Sequence, residues 1–428
     1  MGSIVDFFGN QVQKTCRSHP QRALRLLRLG YHAKHLTMKY LPDQTASKAA
    51  QFAASATMQA MRMPLDHPEK GVMVSLFTPC EMLHAMELYP YFCEGFGCFL
   101  SASRAEGDFL QYAHQQGLPE TFCSYHKIFI GAAEKGLMPK PRFIINTTLA
   151  CDANLLTFRR LSQYFHVPQF VLDIPYHKDK DAVSYVARQL RELKDFLEKN
   201  TGKKLDPDLL WAHVQRSRKT LEDFDRFMSQ KKDRFIPSDL TDELYSAFLL
   251  HPLLGSPQAL RYAALCLEQV QNAPPSTGIR LLWMHTTPFW VKPLREIFFH
   301  HPQVEIAACD MSYESINRLP FSDDPYEAMA MRLVYSAFNG PFSHRIQRSL
   351  AAARQTGAEG VVYFCHWGCK HTLGGAQLAK KAFQEAGLPC LLLDGDGCDQ
   401  SFGGEGQQAT RMEAFLEMLR KKKGEPLT

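Results

Sequence analysis

The chain contains no apolar run approaching the roughly 18 residues of a membrane span, which excludes a helical membrane protein. Its opening residues, MGSIVDFFGNQVQK, lack the basic-then-apolar layout of a secretory signal. Asp6 stands where N-myristoylation wants Ser or Thr. There is no C-x-x-C pair among the twelve cysteines, which disfavours a zinc ribbon or a thioredoxin-type redox motif. Nor are the cysteines gathered into a compact ferredoxin run. A G-x-x-x-x-G-K-[ST] phosphate loop is absent, and so is a dinucleotide fingerprint. GDGCDQSFGGEG is rich in glycine, but its spacing fits neither motif, and it reads as a strand-to-helix loop. No basic tract exists beyond the RKKK that closes the last helical run, where cations complement the helix dipole. With a net charge of only +5, nucleic acid is not an expected partner. No internal repeat is visible.

What is present is a chain of 428 residues, too long for one ordinary core, so two or three domains are expected. A hydrophobic content of 45% and a charged content of 22% are those of a globular protein. Many cysteines without an export signal point to a reducing compartment and a cytoplasmic location. There, clustered thiols serve metals or catalysis more often than disulfides.

Residues 1–65 carry helical periodicity, including the basic amphipathic piece RALRLLRLGYHAKHL, read as a helix packed on its own domain. From Gly71 short apolar runs alternate with amphipathic ones: GVMVSLF, PRFIINTT and VPQFVLDIPY as strands, RAEGDFLQYAHQQG and ANLLTFRRLSQYF as helices. Residues 180–272 then read as helix after helix until the turn signal NAPPSTG. The alternation resumes with IRLLWM, VEIAAC, GVVYFC and LPCLLLDGD as strands. The expected architecture is α/β, with two doubly wound parallel-sheet (Rossmann-like) domains, a helical lead-in and a helical connecting segment. Its divisions are a helical N-terminal segment over 1–65, a first α/β domain over 66–200, a helical connector over 201–275 and a second α/β domain over 276–428.

Three cysteines share one kind of place. Cys123 in ETFCSYHKIFIGAA precedes a helical run, and Cys151 in INTTLACDANLLTF lies between strand and helix. Cys369, preceded by Cys365 in CHWGCK, lies between the strand GVVYF and the helix that follows. In open α/β sheets ligands bind outside the carboxyl ends of strands, and a helix start favours thiolate. Burial as small hydrophobes is the competing expectation for any one of them, and the preferred one for Cys16, Cys266, Cys390, Cys93 and Cys98.

PCEMLHAMELYP, ETFCSYHK, NTTLACDANLLTFRRL, VLDIPY, CHWGCK and DGDGCDQSFGGEGQQATRMEAFLEML, in that order, resemble the 2-hydroxyacyl-CoA dehydratase family, whose relatives are the benzoyl-CoA reductase subunits and the double-cubane-cluster proteins. The resemblance spans roughly residues 70–200 and 280–420. It implies a [4Fe–4S] cluster held between two α/β domains by three separated thiolates, here Cys123, Cys151 and Cys369, with Cys365 as the alternative third ligand. The extra Cys-x-Cys setting of the double-cubane relatives is missing, so a single cluster is implied.

Three ligands leave one iron open. The resemblance implies that this iron meets an acyl-CoA substrate: one electron on the thioester carbonyl gives a ketyl radical, the 2-hydroxyl leaves, and loss of the β-hydrogen yields an enoyl-CoA. It further implies a sister subunit or a second copy, and a separate ATP-dependent iron–sulfur activator, in keeping with the absent nucleotide motif. Glu81, on the family's P-x-E-L element, is implied as the catalytic carboxylate, acting as base or orienting the leaving hydroxyl. Glu87 stands nearby where glycine is usual in the family. His366, His371 and His285 are secondary candidates, and Asp152, Asp394 and Asp396 read as caps of helices or turns. The alternative functions are a benzoyl-CoA-reductase-like subunit and an electron-relay or structural subunit.

Overall fold

The computed structural model describes residues 2–424. Three helices lead in: α1 (Gly2–Ser18), α2 (Pro20–Tyr40) and α3 (Lys48–Asp66). The first α/β unit runs β1 (Gly71–Val74), α4 (Glu81–Ala85), β2 (Tyr89–Phe92), α5 (Cys93–Ala102), α6 (Gly107–Gln115), α7 (Ser124–Glu134), β3 (Ile144–Thr147), α8 (Asp152–Phe165) and β4 (Gln169–Leu172). Four helices follow: α9 (Lys180–Thr201), α10 (Pro207–Gln230), α11 (Leu240–Leu250) and α12 (Pro257–Gln271). The second unit runs β5 (Ile279–Met284), α13 (Lys292–Phe298), β6 (Val304–Cys309), α14 (Asp310–Tyr313), α15 (Pro325–Val334), α16 (Phe342–Thr356), β7 (Gly360–His366), α17 (Lys370–Leu373), α18 (Ala376–Glu385), β8 (Cys390–Gly395) and α19 (Glu405–Lys423).

Both sheets are four-stranded and wholly parallel, in the orders β2-β1-β3-β4 and β6-β5-β7-β8. This is the expected α/β architecture with two Rossmann-like units. β1, β3, β5, β6 and β7 are buried along their whole length, as strands covered by helices on both faces must be. The connecting helices announce themselves by their caps. Asp179, Asp206, Asp239 and Ser256 accept first-turn N–H groups of α9 to α12, and Pro207 and Pro257 open α10 and α12.

The sequence reading misses β2. Pro90 sits inside it, and proline cannot donate to a ladder. The strand survives because it is an edge, hydrogen-bonded only to β1. Glu87, just before it, has φ +55°, a left-handed conformation that glycine adopts more easily. Among the described residues no helix is long and apolar enough to cross a membrane.

Candidate functional site

In the first sheet the chain reverses direction of winding between β1 and β3, and in the second between β5 and β7. These are the switch points at which open α/β sheets leave a crevice beyond the carboxyl ends of the strands. The two crevices share one cavity of about 100 Å³. Its wall takes Leu76 and Phe77 from beyond β1, Ala150 and Cys151 from beyond β3, His285 to Thr287 from beyond β5, and His366 and Cys369 from the end of β7 and just beyond it.

Cys123, Cys151 and Cys369 all line this cavity, and each is the residue immediately before a helix, α7, α8 and α17 respectively. Burial pushes the Cys123 thiol well up and the Cys151 thiol up to about 12, with the nearby thiols adding to it and first-turn amides opposing it. All twelve cysteines are free. The cysteines expected in the core, Cys16, Cys93, Cys98, Cys266 and Cys390, are buried.

Cys365 does not reach the cavity. Side chains alternate along a strand, so Cys365 and His366 point to opposite faces of the β7 sheet. His366 lines the cavity, whereas Cys365 lies in the apolar layer that includes Cys390, Phe383 and Ala379. The β7–α17 loop then turns through Gly368 at φ +86° to present Cys369.

Four imidazoles surround the thiols. His366 accepts the Gly397 N–H on Nδ1 at 3.1 Å, so its Nε2 carries the proton and points it at Cys123 Sγ, 3.3 Å away. His126 stands between Cys93 Sγ, 3.5 Å from Nδ1, and Cys151 Sγ, 3.9 Å from Nε2. Burial lowers all four rings: His126 to about 3, His371 to about 4, His285 well below the usual value, and His366 despite the opposing Asp396. They are neutral hydrogen-bonding groups at pH 7.

Among the described residues one cationic side chain, Arg345, enters the wall. Arg345 donates to Asp310 Oδ2 through Nε at 2.8 Å and Nη2 at 2.6 Å, and to Thr372 Oγ1 through Nη1 at 3.1 Å. Asp310 Oδ1 accepts the His285 N–H at 2.6 Å, which holds that residue at φ +78°.

Among the described residues, three buried polar atoms of the wall have no protein partner: Glu94 Oε2, His285 Nδ1 and His371 Nε2. Buried polar groups are nearly always satisfied, so their convergence beside the thiols marks a place prepared for a polar ligand. Glu94 is the second residue of α5, which follows the hidden strand β2 directly, and burial raises its carboxyl to about 7 against the pull of backbone amides. Sequence reasoning took YFCEGFGCFL as core and passed over it. Recognising β2 would have placed Glu94 at a strand's carboxyl end. Glu243 of α11, also in the wall, was overlooked because it lies inside an uninterrupted helical pattern.

Glu81 is elsewhere. It is fully buried and outside the cavity wall. Its Oε1 accepts from Ser217 Oγ at 2.7 Å and from Arg332 Nη1, and its Oε2 from Arg332 Nη2 at 3.0 Å. Burial alone would raise the carboxyl, but the guanidinium and hydroxyl outweigh it and hold it below the ordinary value. In this arrangement Glu81 ties α4 to α10 and α15.

Among the described residues no three His, Cys, Asp or Glu side chains converge closely enough for a single metal ion. A cubane makes no such demand, because each thiolate binds a separate iron at its own corner. The donor set fits such a group: three thiols free of disulfides line one cavity, with an imidazole N–H already aimed at one sulfur.

Residues 75–419 match the family described as "2-hydroxyglutaryl-CoA dehydratase, D-component". The chain is similar to the (R)-phenyllactyl-CoA dehydratase alpha subunit of Clostridium sporogenes, with 22% identity over 403 residues, 88% of this chain and 97% of the relative. It is similar to the lactoyl-CoA dehydratase subunit alpha of Anaerotignum propionicum, with 21% identity over 380 residues, 80% of this chain and 89% of the relative. It is also similar to the (R)-2-hydroxyisocaproyl-CoA dehydratase alpha subunit of Clostridioides difficile, with 20% identity over 384 residues, 82% of this chain and 90% of the relative.

Proposed function

The chain belongs to the 2-hydroxyglutaryl-CoA dehydratase D-component family, and from that premise we propose that it is the iron–sulfur subunit of a 2-hydroxyacyl-CoA dehydratase, a hydro-lyase in which Cys123, Cys151 and Cys369 hold one [4Fe–4S] cluster. The observation that carries this reading is the meeting of these three thiols, from three separate helix starts, in one cavity between facing switch points. When bound, such a cluster supplies a low-potential electron to the thioester carbonyl, which makes the 2-hydroxyl a leaving group and the β-hydrogen acidic.

The protein's own residues do the rest. Glu94, titrating near neutrality with one oxygen unpartnered, takes the β-proton. His285 and His371 turn their unpartnered nitrogens to the substrate's hydroxyl and carbonyl oxygens. His366 steadies Cys123 through the Nε2–H. Phe77, Leu244, Phe248 and Phe338 exclude water from the reacting atoms.

The names of the relatives as alpha subunits support a partner subunit for this chain. The proposal includes that sister subunit, or a second copy, and a separate ATP-dependent activator as electron source. The test is electron paramagnetic resonance of the anaerobic, reduced protein with and without a 2-hydroxyacyl-CoA. A cluster signal that changes on adding the thioester supports direct contact. A cluster signal indifferent to it assigns the chain to electron relay instead.

A further inference from the structure

We infer that the acyl chain accepted at this site is apolar, aliphatic or aromatic, and that an acyl chain ending in a second carboxylate is rejected. The inference rests on the acyl-CoA reading above and narrows its substrate class. One side of the cavity is built from Leu244, Ala247 and Phe248 of α11, with Phe77 from beyond β1, Met311 of α14 and Phe338. Phe77 and Phe338 meet edge to face, centroids 5.6 Å apart, so this side is a packed aromatic and aliphatic surface.

A dicarboxylic acyl chain needs a cation for its far end, because burying an unpaired carboxylate is far costlier than burying methylenes is favourable. Arg345 is the one Lys or Arg among the described residues of the wall, and it is already committed. Asp310 takes Nε and Nη2, Thr372 takes Nη1, and Phe338 lies over the guanidinium with its centroid 4.5 Å from Cζ. The remaining acid–base groups on the substrate side work against an anion. Glu94 and Glu243 also line the wall, and neither supplies the positive charge that a second carboxylate would need. His285 offers a hydrogen bond but no positive charge, since burial, and then Arg345 beside it, hold its ring well below the usual value. The same enclosure that disfavours a carboxylate gains from a branched or aryl chain through apolar burial and ring contact.

The experiment uses the full chain, purified anaerobically together with any subunit that accompanies it. Calorimetry measures binding of 4-methylpentanoyl-CoA, 3-phenylpropanoyl-CoA, glutaryl-CoA and CoA itself; the thioesters lack the 2-hydroxyl and do not turn over. The expected result is that the apolar thioesters bind about 100-fold more tightly than glutaryl-CoA, which binds no better than CoA. An advantage below about tenfold for the apolar pair overturns the inference while leaving the acyl-CoA reading in place. If no thioester binds more tightly than CoA, the acyl-CoA reading itself fails. Ala247→Phe, which fills the apolar side, is expected to weaken the apolar thioesters at least about tenfold and leave CoA unchanged. Unchanged apolar binding in the folded variant places the acyl chain elsewhere and overturns the inference.

Discussion

Gly368 and Cys123 lie backbone to backbone. A Cβ added at Gly368 would sit 2.9 Å from both N and Cα of Cys123, and Gly368 is at φ +86°. The loop that delivers Cys369 from the second unit therefore rests directly on the turn that delivers Cys123 from the first. Gly368→Ala is expected to destabilise the protein by more than the roughly 1–2 kcal/mol of the left-handed conformation alone, because backbone atoms must also move apart. Gly117→Ala is the control. Gly117 has φ +83° with nothing within 4 Å of an added Cβ, so only the conformational cost applies. Denaturant unfolding of the two variants checks the difference, and equal losses would contradict the close approach.

Glu94→Gln keeps the shape of the cavity and removes the proton acceptor. Turnover is expected to fall about 10²–10⁴-fold with little change in KM. Burial raises the carboxyl to about 7, and a base works deprotonated. The parent's rate should therefore climb with pH to about 7 and level off, and this limb should vanish in the variant. A steady-state pH profile reads both.

Arg332→Met leaves the Glu81 carboxylate buried without a cation, held only by Ser217 and a backbone amide. Breaking such a pair typically costs about 3–5 kcal/mol, whereas removing both charges costs less than the sum of the two single changes. Glu81 is held below its ordinary value. Its contribution is thus present above the unfolded carboxylate pKa and lost as pH falls through the folded one. Urea unfolding of Arg332→Met, Glu81→Gln and the double variant at pH 7 and pH 4 tests this. Equal stability of parent and Arg332→Met would show the pair to be idle.

Glu243 has the opposite sign. Burial, with Asp242 and Asp239 adding and Lys231 opposing, raises it from 4.5 to about 7. The folded state therefore holds its proton more tightly than the unfolded one. That stability is full below the unfolded pKa and is lost as pH rises through about 7. Glu243→Gln should match the parent near pH 4 and exceed it near pH 8, by up to about 3 kcal/mol (7 − 4.5 units at about 1.36 kcal/mol each). Thermal melts at the two pH values read the difference, and a variant that gains nothing at pH 8 contradicts the shift.

The parallel sheets were legible because most of their strands are short, largely apolar runs between amphipathic helices, as burial under helices favours. The edge strand β2 was not, since Pro90 is permitted there by an unpaired side that no local pattern reveals. Cys123, Cys151 and Cys369 could be singled out by their place before helices, but distinguishing Cys369 from Cys365 needed the strand's alternation, which puts His366 on the cavity side and Cys365 behind it. Glu81 could be picked out by its motif, but not its pairing. Its partner Arg332 comes from a helix far along the chain, and no spacing rule announces such a pairing. Arg345 was overlooked for the same reason, since its place in the wall depends on which groups reach one cavity from elements distant in sequence.

The central claim is that three distant thiols grip one iron–sulfur cluster. Its most direct test is an anaerobic determination of iron and acid-labile sulfide on the parent, Cys151→Ala, Cys369→Ser and Cys365→Ser. The account predicts about four of each per chain in the parent and in Cys365→Ser, and loss of both in Cys151→Ala and Cys369→Ser. Zinc or no metal in the parent, or full iron and sulfide retained by Cys151→Ala, would contradict it.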